Sequence, residues 1–387
     1  MPELFETTTI NGLSIKNRFV RSATWEGMAE EDGRCTPNII NMVEELVEGG
    51  VGLIISGHAY VRKNGQSTPW QLAINEDRFI AGLQEMTEAV HQKGGKIVVQ
   101  LNHGGIFAHT ELTGEIPYGP SDIGGIKTYD MKRRAYQEIP YAPKKISQQD
   151  IEDLVEDFGR AADRSKQAGF DGIQLHGGHG YLISQFFSPI YNQRTDHYGG
   201  SIENRTRFVL EVLGSIRMQV GDDFPVMIKM NSQDYVEGGL ALKDALKAAR
   251  MMEAEGMDAI EITGGDQIVA GIYSVKTGIL SEKDEAYFKD DALAFREHVK
   301  IPLMLVGGIR SYHIAEQIIN DQIADYISLC RPLIKEPHLI NRWKSGDHGK
   351  ATCLSDNKCY GAAYRGEGVC CATEKKLKER KLKKSGQ

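Results

Sequence analysis

The chain has 387 residues, of which 41% are hydrophobic and 26% charged, so its bulk is neither disordered nor collagen-like. Lys and Arg total 46 against 53 Asp and Glu, a net charge of −7, which excludes nucleic-acid binding as a main activity. No stretch of about 20 apolar residues is present, so no membrane-spanning helix is predicted.

Eight short apolar runs rich in Ile and Val punctuate the chain: Arg18–Ser22, Gly52–Ser56, Lys96–Gln100, Gly172–His176, Val226–Met230, Ala259–Thr263, Leu303–Gly307 and Tyr326–Leu329. They lack the long polar–apolar alternation of a half-exposed sheet and read as strands of a parallel sheet covered on both faces. Amphipathic stretches at Asn38–Val47, Phe79–Gln92, Asn204–Val220, Leu242–Glu255, Asp290–His298 and Ile314–Ile319 read as helices between them. The clearest helix starts at Ser147, which can cap a first turn carrying Asp150, and stops at Gly169. Eight such alternations predict an α/β fold, the (β/α)₈ barrel, ahead of a doubly wound open sheet. At about 150 residues per domain the length allows two or three domains. The strand pattern instead assigns residues 1–345 to one barrel and leaves 346–387 as an extension. Long loops follow the third and sixth strands, at 102–145 and 264–289, on the face where barrels carry their active sites.

The six cysteines are Cys35, Cys330, Cys353, Cys359, Cys370 and Cys371, four of them in the last tenth of the chain. A disulfide framework would spread them more evenly, so a reducing cytoplasm is expected. The N-terminal MPELFETTTING is acidic and lacks an apolar centre, so no signal peptide is read there. From Glu374 to Gln387 the chain carries seven Lys or Arg and two acids, a +5 tail that reads as a solvated end.

Chemistry-bearing residues gather at strand ends. His176 closes the fourth strand, and Gly177, Gly178, His179, Gly180 and Tyr181 follow at once. Histidines can hydrogen-bond a carbonyl or phenolate oxygen, and a tyrosine can deliver a proton. Read alone, the pair fits a solvated turn equally well, and zinc less well for want of a third ligand. Gln100 ends the third strand, with Asn102 and His103 beyond it, and its amide suits the mixed donor–acceptor edge of a planar heterocycle. Lys229 lies in the apolar run VMIKM, where its charge is costly unless paired or ligand-directed. Gly307 and Gly308 follow the seventh strand, and Cys330 and Arg331 the eighth, the turns at which barrels commonly bind phosphate. The polar run Asn192–Asp196, Tyr198–Ser201 and Glu203–Arg205 reads as a rigid hydrogen-bonded loop.

These residues, in this order, resemble the old yellow enzyme family of flavin oxidoreductases over roughly residues 1–345. The resemblance rests on Lys16-Asn17-Arg18, Ser22-Ala23-Thr24, Val99–His103, Pro120-Ser121, and above all the block from Asp171 to Phe208. It implies an FMN-binding barrel with an N-terminal lid hairpin, reduced by NADH or NADPH, that passes hydride to an alkene conjugated to a carbonyl. It places Ala23 and Thr24 beside the flavin, Gln100 on its pyrimidine edge, Lys229 near N1 and the C2 carbonyl, and Gly307, Gly308, Cys330 and Arg331 around the phosphate. It gives His176 and His179, with Trp25 nearby, the substrate's carbonyl oxygen, and Tyr181 the proton.

Three departures from the family pattern stand out. Some members carry a four-cysteine iron–sulfur cluster after the barrel. Here the stretch is Cys353-Leu-Ser-Asp356-Asn-Lys-Cys359, then Cys370-Cys371, with Asp356 in place of a cysteine. A cluster-free remnant is therefore expected, with Cys353, Cys359 and Cys370 as the weak metal candidates. No further nucleotide-binding domain is expected from these residues, so NAD(P)H is expected over the flavin itself. Trp25 stands where some members have a flavin-contacting cysteine. Two alternatives stay open: an iron–sulfur enoate or dienoyl thioester reductase, and a phosphate-binding lyase or aldolase using Lys229 as a Schiff base. The partner expected is a small-molecule substrate, with a homo-oligomer allowed for. Substrate identity and the choice of nicotinamide are not legible.

Overall fold

In the computed structural model, residues 3–125, 127–130, 135–138, 142–266 and 275–376 are described. Eight parallel strands close a barrel. In chain order they are Phe19–Arg21, Leu53–Tyr60, Ile97–Asn102, Ile173–Gly177, Val226–Asn231, Ala259–Thr263, Leu303–Leu305 and Tyr326–Leu329. Each pairs with the next, and the eighth pairs with the first through Ile327 opposite Phe19 and Leu329 opposite Arg21. All eight expected runs are these strands. The second is longer than its apolar run, because Gly57, His58, Ala59 and Tyr60 continue it, with a register shift between Ile55 and His58.

Helices return between the strands on the outside, as at Pro37–Glu48, Ile80–Gln92 and Gln148–Gln167. At the last of these, Ser147 Oγ accepts from the Asp150 amide at 3.1 Å while Asp150 reaches back to the Ser147 amide at 3.3 Å. This reciprocal cap satisfies two amides that have no partner within the helix. Gly169, at φ +80°, then turns the chain into the next strand, a conformation costly for a residue with a Cβ.

Inside the barrel, side chains two residues apart share the lumen, and they form two layers of different chemistry. The lower layer is apolar: Val20, Val98, Met227, Ala259 and Tyr326 pack together. One step further along the same strands stand Ser22, Gln100, Lys229, Glu261 and Ser328. The strand interiors therefore switch from oily to polar within about 7 Å of strand rise, and the polar layer forms the base of the site.

Thr8–Ile10 and Leu13–Ile15 form an antiparallel hairpin. Its Ile10, Leu13 and Ile15 join the lower apolar layer, and Tyr326 Oη bonds Thr8 Oγ1 at 2.9 Å. The hairpin thus closes the end of the barrel opposite the strand C-termini, and is a floor rather than a lid over the site. Ile10 is fully buried. Ile10→Ala is expected to destabilise the protein by about 3 kcal/mol through lost burial and an unfilled cavity, read by denaturant unfolding. A loss under about 1 kcal/mol would show that the hairpin is not part of the core.

Candidate active site

A cavity of about 1130 Å³ opens at the C-terminal ends of the strands. Its lining includes nearly all of the sequence-predicted site residues: Ala23, Thr24 and Trp25; Gln100; His176, His179 and Tyr181; Lys229; and Gly308, Cys330 and Arg331. Gly307 is the exception. It packs against Phe288, and its carbonyl accepts the Tyr287 amide at 3.2 Å.

The base of the cavity is a continuous buried network. Strand register sets His176 beside Lys229 and Lys229 beside Glu261. Lys229 Nζ donates to Ser22 Oγ at 2.7 Å and to Glu261 Oε1 at 3.1 Å. Ser22 Oγ donates to Glu261 Oε1 at 2.6 Å, and Gln174 Nε2 to Glu261 Oε2 at 2.9 Å. Gln100 Nε2 donates to Gln174 Oε1 at 2.7 Å, which leaves the Gln100 carbonyl oxygen for a ligand. Burial alone would raise the Glu261 carboxyl. Lys229, Ser22 and Gln174 outweigh it and hold the group below its ordinary value. The expected cost of a lysine in VMIKM is thus met by a partner two strands' chemistry had to supply, and Glu261 is the residue sequence reasoning missed. Its signal was a second charge in an apolar run, AIEIT.

His176, His179 and Tyr181 converge on one wall. The His176 ring lies 5.3 Å from the His179 ring and 4.7 Å from the Tyr181 ring. His58, a second residue unanticipated from sequence, completes the group at 5.5 Å from Tyr181. The amides of Asn102 and Gln71 both donate to His58 Nδ1, each at 3.0 Å, so its proton belongs on Nε2. His179 sits at φ +59°, in the left-handed region, and its Nε2 pairs with Thr263 Oγ1 at 2.8 Å. Burial lowers His58 to about 4 and His179 to about 3, the latter helped by the charge of Lys229. Burial, then His179, His58 and Lys229, lower His176 as well. All three rings are therefore neutral hydrogen-bonding groups at neutral pH.

The opposite corner fits a phosphate. Arg331 Nη1 and Ser328 Oγ are buried, belong to residues lining the cavity, and have no hydrogen-bond partner among the described residues. Buried polar atoms are rarely left unpaired, and these two stand by the positive-φ turn at Gly308. Arg331 is the side chain suited to bidentate phosphate binding. Together with the carbonyl oxygen of Gln100 and the cation at Lys229, this set fits FMN.

The C-terminal extension also builds the site, which the sequence did not suggest. The Tyr364 ring packs against Trp25 with centroids 4.7 Å apart and planes tilted by 56°. Burial raises the Tyr364 hydroxyl, and the neighbouring Tyr181 adds to the effect. Tyr360 Oη lies 3.8 Å from Cys330 Sγ, which in turn lies 3.0 Å from Thr24 Oγ1. The extension therefore spans the cavity from the Arg331 corner to Tyr181. The spacing of Tyr360 and Tyr364, one helical turn apart, was the legible hint.

The cysteines divide differently from expectation. Cys353, Cys359 and Cys371, not Cys370, line a separate cavity of about 280 Å³, whereas Cys370 lines the main one. Burial raises the Cys359 thiol to about 12 and raises that of Cys353 too. Among the described residues, no three His, Cys, Asp or Glu side chains converge as a metal-ligand set.

The polar block at 192–205 is scaffold. Buried Arg194 donates to the carbonyls of Pro120 at 3.0 Å and Ile146 at 2.8 Å and pairs with Asp196. Asn192 ties Phe186 to Tyr198, at 2.9 and 2.7 Å. His103 turns away from the cavity to Asn64, at 3.1 Å.

Comparisons with known proteins agree with this geometry. The NADPH dehydrogenase of Bacillus subtilis strain 168 is 35% identical over 337 residues, 87% of this chain and 92% of that protein. The NADH oxidase of Thermoanaerobacter brockii is 35% identical over 361 residues, and the chain spans about half its length, 53%. Among solved structures, 2-naphthoyl-CoA reductase with 2-naphthoyl-CoA superposes at a TM-score of 0.86 and 27% identity, covering 95% of this chain and 56% of that one. Morphinone reductase with tetrahydroNAD superposes at 0.73 and 26% identity, covering 90% and 92%. Residues 3–349 match the NADH:flavin oxidoreductase / NADH oxidase family. The chain belongs to that family, whose members use FMN with NAD(P)H as reductant.

Proposed function

We propose that this protein reduces an alkene conjugated to a carbonyl group at the expense of NADH or NADPH. The observation that carries the reading is the convergence of His176, His179 and Tyr181 on one wall of the cavity whose base holds Lys229 and Gln100. Arg331, Ser328 and Gly308 would hold the FMN phosphate, and Gln100 and Lys229 its pyrimidine edge. Bound there, FMN supplies hydride transfer between nicotinamide and alkene.

The chain's own residues supply the rest. Neutral His176 and His179 present N–H groups to the substrate's carbonyl oxygen. These donors are fixed before reaction and strengthen as negative charge develops on that oxygen. Tyr181 delivers the proton to the carbon next to the carbonyl. His58, held by two amides, fixes the edge against which Tyr181 and His176 pack.

The Schiff-base alternative fits less well. A lysine nucleophile needs a free amine, and Lys229 Nζ is bonded to Ser22 and ion-paired with Glu261. The relatives' names span an NADH oxidase, a metal reductase and a disulfide reductase, which support reduction in general and leave the acceptor to the site's chemistry.

The test is anaerobic. The FMN-loaded protein is expected to bleach with NADH or NADPH and to recolour on adding a cyclic enone. Bleaching without recolouring would refute the alkene reading. Tyr181→Phe is expected to slow recolouring by about 10²-fold or more while leaving bleaching unchanged. Equal recolouring rates would remove Tyr181 from the mechanism. Replacing His176 and His179 by Ala is expected to weaken a bound phenol at least about tenfold, by loss of two N–H donors. Because burial keeps both rings neutral, wild-type phenol affinity is expected to be flat from about pH 5.5 to about pH 8. A break near about pH 6.5 in a spectroscopic titration would show that the rings titrate normally.

A further inference from the structure

The match to the family ends at residue 349, yet the outer wall of the cavity is built by residues beyond it. That wall is strongly cationic. Lys358, Arg365, Lys375 and Lys376 all line the cavity, and Glu367 is the only acidic side chain lining it among the described residues. Glu367 is itself engaged, with Arg365 at 2.7 Å and Lys375 at 2.8 Å. Deeper in, Lys229 is neutralised by Glu261, and Arg331 lies in the corner assigned to the FMN phosphate. The wall is left with an excess of positive charge in a chain whose net charge is −7. A cleft of one sign with low-dielectric walls concentrates ligands of the other.

The family's reductant is a dinucleotide whose nicotinamide must reach the flavin. Its pyrophosphate then has to lie further out in the same cavity, away from the Tyr181 wall. We propose that the C-terminal extension is the subsite for the phosphate groups of the nicotinamide dinucleotide, with Lys358, Arg365 and Lys376 as its anion-recognising side chains. The wall is hinged on contacts that place it there: Trp25 with Tyr364 at one end, and Cys330 with Tyr360 at the other. Arg365 follows Tyr364 directly, and Lys358 precedes Tyr360 by two residues, so both cations are carried on backbone that these two tyrosines anchor beside the cavity. Lys358 lies 3.6 Å from Asp356 Oδ2 but stays exposed, as does Lys376, and anion capture from solvent requires that exposure.

This inference rests on the reading that NAD(P)H reduces FMN in this cavity, and the test separates the two. The FMN-loaded full chain is compared with a Lys358→Glu/Lys376→Glu variant, both changes being at exposed positions. The KM for NADPH and for NADH is expected to rise about tenfold in the variant, from two lost attractions and two new repulsions. The bleaching rate at saturation and the KM for a neutral enone are expected to stay the same. Reduced nicotinamide mononucleotide, which has no pyrophosphate, is expected to lose less than either dinucleotide. Raising the salt concentration should raise the wild-type KM, by screening attraction, and lower that of the variant, by screening its new repulsions. A rise in KM below about threefold, with wild-type KM indifferent to salt, overturns the proposal. So does a loss confined to an α,β-unsaturated carboxylate while the dinucleotides are unaffected, since the wall would then serve the alkene. Failure of wild-type protein to bleach at any nicotinamide concentration would instead refute the underlying functional reading.

Discussion

The site is organised around one buried ion pair. Lys229 and Glu261 face each other across adjacent strands inside a closed barrel, where an unpaired charge would cost several kcal/mol. Each is tolerable only because the other is present and because Ser22 and Gln174 satisfy the remaining hydrogen-bonding capacity. That requirement ties together four strands. It also sets the level at which the barrel interior changes from apolar to polar, and hence the height at which a flat polar ligand can rest. Every functional side chain in the deeper half of the cavity stands on this layer or one residue above it.

Above the layer, burial does the chemical tuning. The histidines that would meet the substrate are driven neutral by desolvation, with Lys229 adding to the effect at His176 and His179. Neutral rings are suited to stabilise a charge that appears only during reaction, because they bind the uncharged ground state weakly by comparison. The left-handed backbone at His179, followed by Gly180 at φ +76°, lets the chain double back so that Tyr181 reaches the same wall. The extension then encloses this arrangement from outside by packing Tyr364 against Trp25.

Much of the architecture was legible because a parallel barrel writes itself into sequence in a simple way. Strands covered on both faces must be continuous apolar runs, and the Ser147 cap and Gly169 stop mark a helix by local rules alone. Residues such as His176, Lys229 and Arg331 were legible because chemistry at the end of an apolar run has few structural excuses. His58 was not, because a single histidine in an unexpectedly long strand looks like any satisfied core residue. The lid hairpin was expected from the family resemblance alone, and nothing in the sequence of residues 8–15 shows which end of the barrel it covers. The cysteines were grouped by their linear spacing, which does not show that Cys371 and not Cys370 turns towards Cys353 and Cys359.

The sequence by itself determined the strand order, the barrel, the polar residues at the strand ends and the family to which they belong. The strands, the barrel and the polar strand ends depend on periodicity and local chemistry, which act within a few residues, whereas the family rests on the resemblance of the quoted motifs, above all the block from Asp171 to Phe208. Only the tertiary structure decided that Glu261 pairs with Lys229 and that His58 completes the wall of His176, His179 and Tyr181. It alone placed residues 355–376 in the wall of the cavity. Those contacts join positions between 32 and about 340 residues apart, so no local pattern encodes them. They exist because closing the barrel brings the strand ends to one face, where burial and charge select which side chains can stand together.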